Sequence, residues 1–93
     1  MMKMKIDNKR LICKSVPEYY FLEKSSKKAN TIRIETSEEA QKIRSAFIRG
    51  VLKHIRVINT QTNEHFEREI TDISQVGGCA GHTMIVISWK QEE

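Results

Sequence analysis

Four polar residues just before and within a short apolar stretch are the best candidates for chemistry in this chain: Lys27, Lys28, Thr31 and Arg33. Thr31-Ile32-Arg33-Ile34-Glu35 alternates with period two. An extended strand would therefore put Thr31, Arg33 and Glu35 on one face and the isoleucines on the other, with Thr31 and Arg33 about 7 Å apart. Lys28 precedes the strand by a few residues, so its long stem can swing over the same face, while Lys27 adds charge beside it. A cation, a hydroxyl and a guanidinium converging on one patch suit a phosphate or carbonyl ligand, because guanidinium binds oxyanions bidentately. The competing reading is structural. Arg33 would then pair with Glu67 or Glu69 on a neighbouring strand, and Lys28 would be a solvated surface charge.

Other candidates are weaker. Cys79-Ala80-Gly81-His82 has the spacing of two metal ligands, but a structural zinc takes four, and Cys13, His54 and His65 stand at no recognisable spacing from them. No metal and no other cofactor is expected. Val76–His82 (VGGCAGH) holds three of the four glycines, which calls for a flexible or tightly turning loop; it lacks the Lys-Ser/Thr ending and following helix of a phosphate-binding loop. Tyr19, Tyr20, Phe21 and Leu22 could stack on bases, although helical spacing assigns them mostly to the core. Trp89 is expected to cap that core.

The elements that must position these residues follow from local pattern. Residues 1–8 read as a flexible leader, and residues 9–93 as one domain. Arg10–Lys14 is a short strand. Ser15-Val16-Pro17-Glu18 has capping-box spacing, with proline where a first helical turn accepts it, and a helix follows from Pro17 to about Lys24. After a polar loop comes the strand Thr31–Glu35. Thr36-Ser37-Glu38-Glu39 is a second N-cap signature with acids at the positive end of the helix dipole. That helix runs through Ala40, Ile43 and Phe47 to Gly50, a natural C′ residue. Val51–Asn59, the polar turn Asn59–Glu64 and His65–Ser74 form a hairpin. Thr83–Trp89 is nearly all apolar, as in a strand buried on both sides. The order β-α-β-α-β-β-β predicts an α+β domain, a small mixed five-stranded β-barrel with two helices packed outside.

Composition bounds the partners. Ninety-three residues with a net charge of +4 make a single domain with one modest core. Residues 1–33 hold nine Lys/Arg against three acids, a net of +6, and residues 34–93 a net of −2. Such asymmetry fits a basic face for a polyanion, or a merely solubilising surface. No apolar run reaches the roughly 20 residues of a membrane span, and no apolar region follows the charged start as in a secretory signal. No membrane partner is expected, a cytoplasmic location is, and Cys13 and Cys79 are expected as thiols rather than a disulfide.

The segment Ser26-Lys27-Lys28-Ala29-Asn30-Thr31-Ile32-Arg33 resembles the G-x-K-x-x-T-x-R signature of the ASCH domains, a branch of the PUA-like small β-barrels associated with RNA and nucleotides. Lys28, Thr31 and Arg33 match, and Ser26 replaces the glycine. The resemblance extends to the order of elements and so covers most of the chain. It implies a PUA-like barrel and an RNA or nucleotide ligand. Some ASCH relatives hydrolyse amides of modified cytidines; by that resemblance Thr31 would be the nucleophile and Lys28 its base, with a glutamate from farther along. Between Ser74 and Thr83 no carboxylate is present, and Glu67, Glu69 and Asp72 are substitutes by chemistry only. The second half, with FEREITDIS and VISW, also resembles small uncharacterised proteins of phages and prophages of Gram-positive bacteria.

Three functions follow as expectations. A small RNA- or nucleotide-binding domain using Lys27, Lys28, Thr31 and Arg33 leads. An amidohydrolase acting on an acylated nucleoside is the alternative. A phage accessory module that binds and inhibits a host protein is the third.

Overall fold

A computed structural model describes residues 4–25 and 29–90 of the chain. Six strands and two helices follow in the order β1 (Lys5–Asp7), β2 (Arg10–Ser15), α1 (Pro17–Lys24), β3 (Asn30–Thr36), α2 (Ser37–Ile48), β4 (His54–Asn59), β5 (His65–Cys79) and β6 (His82–Trp89). The class is α+β, as the pattern predicts, with six strands rather than five. The extra strand falls where a flexible leader is expected. Lys5–Asp7 pairs antiparallel with β2 through a turn in which Asn8 and Lys9 both take positive φ, 50° and 69°, the twist that two-residue hairpins need.

The sheet is mixed, ordered β1-β2-β4-β5-β6-β3, with β2 and β4 parallel. It is not a closed barrel, because its outer strands β1 and β3 do not pair with each other. Its two ends nevertheless meet through side chains. Arg33 Nη1 on β3 donates to the Lys14 carbonyl on β2 at 2.9 Å, and the Met4 amide donates to Glu35 Oε1 at 3.3 Å. Both helices cover one sheet face, rather than ringing a barrel. Ala40, Ile43 and Ala46 of α2 and Tyr20 of α1 share a single core with Leu11, Ile55, Val57, Phe66, Ile85 and Ile87 from the strands.

The α2 signals are realised as read. Thr36 is the N-cap and its hydroxyl accepts from the Glu39 amide at 3.2 Å; Gly50 follows the helix at φ 75°, a conformation that suits glycine. The α1 bounds also agree, but not its cap: Val16 is the N-cap residue, with no side-chain cap bond, and Ser15 is committed elsewhere. Only Tyr20 of the aromatic cluster is core, while Tyr19, Phe21 and Leu22 are exposed. An eight-residue helix on a sheet buries one narrow stripe, and here that stripe holds Tyr20 and Glu23.

The glycine-rich segment is mostly strand. β5 continues to Cys79 and turns through Ala80 and Gly81, at φ 53° and 80°, straight into β6. β6 is not buried on both sides. Ile85, Ile87 and Trp89 are buried, whereas Met84 is exposed and Val86 partly so, because among the described residues no layer covers the second face.

Candidate functional site

The curl of the sheet leaves a cleft of about 430 Å³ where β2 and the start of α1 approach β3. Lys14, Ser15, Val16, Tyr19 and Glu23 line one side and Thr31, Ile32 and Arg33 the other. Thr31 and Arg33, singled out in the sequence, are therefore brought together over a real hollow. Lys27 and Lys28 lie outside the described residues. Arg33 pairs with neither Glu67 nor Glu69: its guanidinium points inward from β3 to the end of β2.

At the floor runs a polar chain. Arg33 Nη2 donates to Ser15 Oγ at 2.8 Å, and Ser15 Oγ donates onward to Glu23 Oε1 at 2.8 Å. Ser15 is 4% exposed and Glu23 1%. Each partner comes from a different element: Ser15 ends β2 on its inward side, Glu23 lies one turn beyond Tyr20 on the buried stripe of α1, and Arg33 is an inward residue of the far strand. The chain is incomplete. Glu23 Oε2 and Arg33 Nε are buried with no hydrogen-bond partner among the described residues. A buried polar atom left unpaired costs about 1–3 kcal/mol, so this pair is either strained or made to meet a ligand.

Cys13 reports on the dryness of the surroundings. Its thiol is pushed up to about 12, chiefly by burial, with the Arg33 guanidinium pulling down and the Glu23 carboxylate pushing up. A thiol so held is protonated and unreactive at neutral pH. The rim contrasts with the floor: Val16, Tyr19 and Ile32 are 38%, 54% and 54% exposed, so apolar and aromatic surface surrounds the polar centre.

Glu23 is the residue that sequence reasoning misses. It lies before the motif, among aromatics that draw attention to themselves, and its signal is only positional: it follows Tyr20 by three residues on a helix opened by Pro17. The carboxylates considered as substitutes do not line the cleft. Glu67 is bonded to Arg56 and Arg10, and Glu69 and Asp72 are exposed. Cys79 and His82 face each other across the hairpin, His82 Nδ1 lies 3.2 Å from the Ala80 carbonyl oxygen, and no group of three metal-ligating side chains occurs among the described residues. Among them, too, no helix is long and apolar enough to cross a membrane.

Comparison of the chain with protein-family models, with curated proteins and with solved structures finds no match to any.

Proposed function

We propose that the chain binds a single nucleoside or nucleotide, free or as an unpaired residue of RNA, in the cleft between β2–α1 and β3. One observation carries the reading. A buried carboxylate and a guanidinium, Glu23 and Arg33, line the cleft floor with one acceptor and one donor uncommitted, beneath an apolar rim that includes an exposed tyrosine ring. Small-molecule sites combine apolar walls with a few placed polar groups, in volumes from about 300 Å³ upward. The floor suits the heteroatoms of a base, and the rim offers it a stacking surface. The basic N-terminal third would attract a phosphate-bearing ligand. The Lys28/Thr31/Arg33 resemblance to ASCH domains and the order of the elements from β2 onward support the same ligand class and an ASCH/PUA-like kinship.

The test is a titration with nucleosides, nucleoside monophosphates and short single-stranded RNA and DNA at two salt concentrations. Wild type should bind saturably. Glu23→Gln and Arg33→Ala should each weaken binding at least tenfold, provided circular dichroism shows them folded. Binding that both folded variants retain, and that salt abolishes, is generic charge attraction and ends this reading.

A second reading has one observation in its favour. Glu23 supplies, from α1, a carboxylate in the same cleft as Thr31, whereas the segment between Ser74 and Thr83 contains none. An amidohydrolase would then use Thr31 as nucleophile and Lys28 as base on an acylated nucleoside. Turnover of such substrates should vanish in Thr31→Ala; if no acylated nucleoside is consumed, binding is the function.

A further inference from the structure

Strand β3 is amphipathic the wrong way round. Its charged residues Arg33 and Glu35 turn inward, Glu35 to 8% exposure, while Ile32 and Ile34 turn outward at 54% and 41%. The neighbouring strands continue the pattern. Across the outer face Ile32 stands beside Val86 and Ser74, and Ile34 beside Met84 and Gly77, with Val76 also exposed at the register shift between Gln75 and Gly77. The flanking rows are Asn30–Ser88–Asp72 and Thr36–His82–Cys79. In a chain where Asp, Glu, Lys and Arg make up 30% of residues, Asp72 at one corner is the single one of these four types in this grid, which also holds His82. The other half of the same outer surface is studded with charge: Arg10, Arg56, Glu67 and Glu69.

We propose that this face, charged only at its Asp72 corner, is a homodimer interface, packed against the same face of a second copy about a twofold axis. Charge selects the occupant. A second copy brings the same net +4, so close approach is opposed wherever basic surface meets basic surface and unopposed where neither copy carries charge. A twofold contact sets this face against itself, which meets that condition. A nucleic acid or an anionic membrane would need a cluster of lysines or arginines here, and the grid has neither residue type. β3 is also an edge strand of the sheet, guarded by its inward-pointing Arg33 and Glu35 and not by an outward lysine or proline, so its outward isoleucines stay uncovered. Burying its isoleucines accounts for their placement. Because Ile32 belongs both to this face and to the cleft rim, the partner copy would stand beside the cleft mouth.

Sedimentation analysis of the full chain over a concentration series tests the proposal. Wild type should reach twice the chain mass. Ile34→Lys and Met84→Lys, both at exposed positions, should return it to the monomer mass with unchanged circular dichroism, while Glu69→Lys on the charged half leaves the dimer intact. Should a lysine disturb folding, the milder Ile34→Thr must still weaken the dimer at least several-fold. Raising the salt to about 1 M should preserve or strengthen the wild-type dimer, since an apolar contact is not screened. A wild-type chain that stays monomeric at high concentration, a dimer that dissolves in salt, or one that survives the folded Ile34→Lys/Met84→Lys double variant overturns it.

Discussion

Two arginine–glutamate clusters sit on opposite faces of the same sheet, and they are built differently. On the outer face Glu67 Oε1 accepts directly from Arg56 Nε at 2.8 Å and from Arg56 Nη2 at 2.5 Å, with Arg10 Nε 3.2 Å away. On the inner face Arg33 and Glu23 are joined through the Ser15 hydroxyl. The outer cluster places opposite charges in contact at a half-exposed surface, so it is electrostatically complete and has little left to offer a ligand. The inner cluster is separated by one hydroxyl, is far drier, and retains a donor and an acceptor. What distinguishes a binding site from a surface ion pair here is not the residue types, which are the same, but burial combined with incomplete pairing.

The difference should be plainest when each arginine is removed. Arg33→Ala takes away two hydrogen bonds that tie β3 to β2 and leaves Ser15 and Glu23 to a dry site without their cation. Unmet buried polar groups cost about 1–3 kcal/mol each, so urea denaturation should show a loss of roughly 2–4 kcal/mol together with loss of nucleoside binding. Arg56→Ala, at the outer cluster, should cost well under half as much, because solvent and Arg10 remain to serve Glu67. Equal costs at the two sites would erase the comparison.

A smaller effect sharpens it by reporting on dryness alone. Cys13 lies beside the inner cluster and Cys79 is exposed. A thiol reagent at pH 8 should modify one cysteine per native chain and two after unfolding. The pH dependence has a definite sign. Burial pushes the folded Cys13 thiol up to about 12 from its ordinary 9.0; the unfolded chain therefore loses its proton first, and stability present below pH 9 is lost as pH rises toward 12. Between those two values each pH unit removes on the order of 1 kcal/mol. Cys13→Ala should flatten that alkaline limb, leaving only the contribution of buried Tyr20, whose hydroxyl is also pushed up by burial.

How much of this was visible beforehand divides along the same line. Signals that act within a few residues were legible: Pro17 opening α1, Thr36 capping α2, Gly50 closing it, and the β4–β5 hairpin. The alternation of residues 31–35 likewise showed which side chains share a face. It did not show which face is inward, because that depends on partners distant in the chain. Arg33 turns inward to bond Lys14 and Ser15, 19 and 18 residues away, and Glu23 finds Ser15 only once α1 has folded back. Ser15 was misread as a helix cap for the same reason: its hydroxyl has a better, longer-range acceptor. The open sheet in place of a barrel also rests on non-local pairing, whereas β1 pairs locally with β2 and was hidden because Asn8–Lys9 offers only a faint turn signal.

The smallest expected effect tests the outer cluster by itself. The Arg56 hydrogen bond, offset in part by burial and aided by Arg10, holds the Glu67 carboxyl below the usual carboxylate range. A lowered folded pKa contributes stability above the ordinary carboxylate pKa, and that contribution disappears as pH falls through the folded value. Glu67 and Arg56 side chains are 33% and 30% exposed, so screening keeps the contribution within the range of about 1 kcal/mol or less found for accessible pairs. Glu67→Gln should therefore lower stability slightly at pH 7, by an amount that shrinks in 1 M salt, and should be indistinguishable from wild type near pH 2. Nucleoside binding should be untouched, since Glu67 faces away from the cleft. A Glu67→Gln variant that lost binding would mean that the outer cluster shapes the cleft through the sheet, and that the two clusters are a single site.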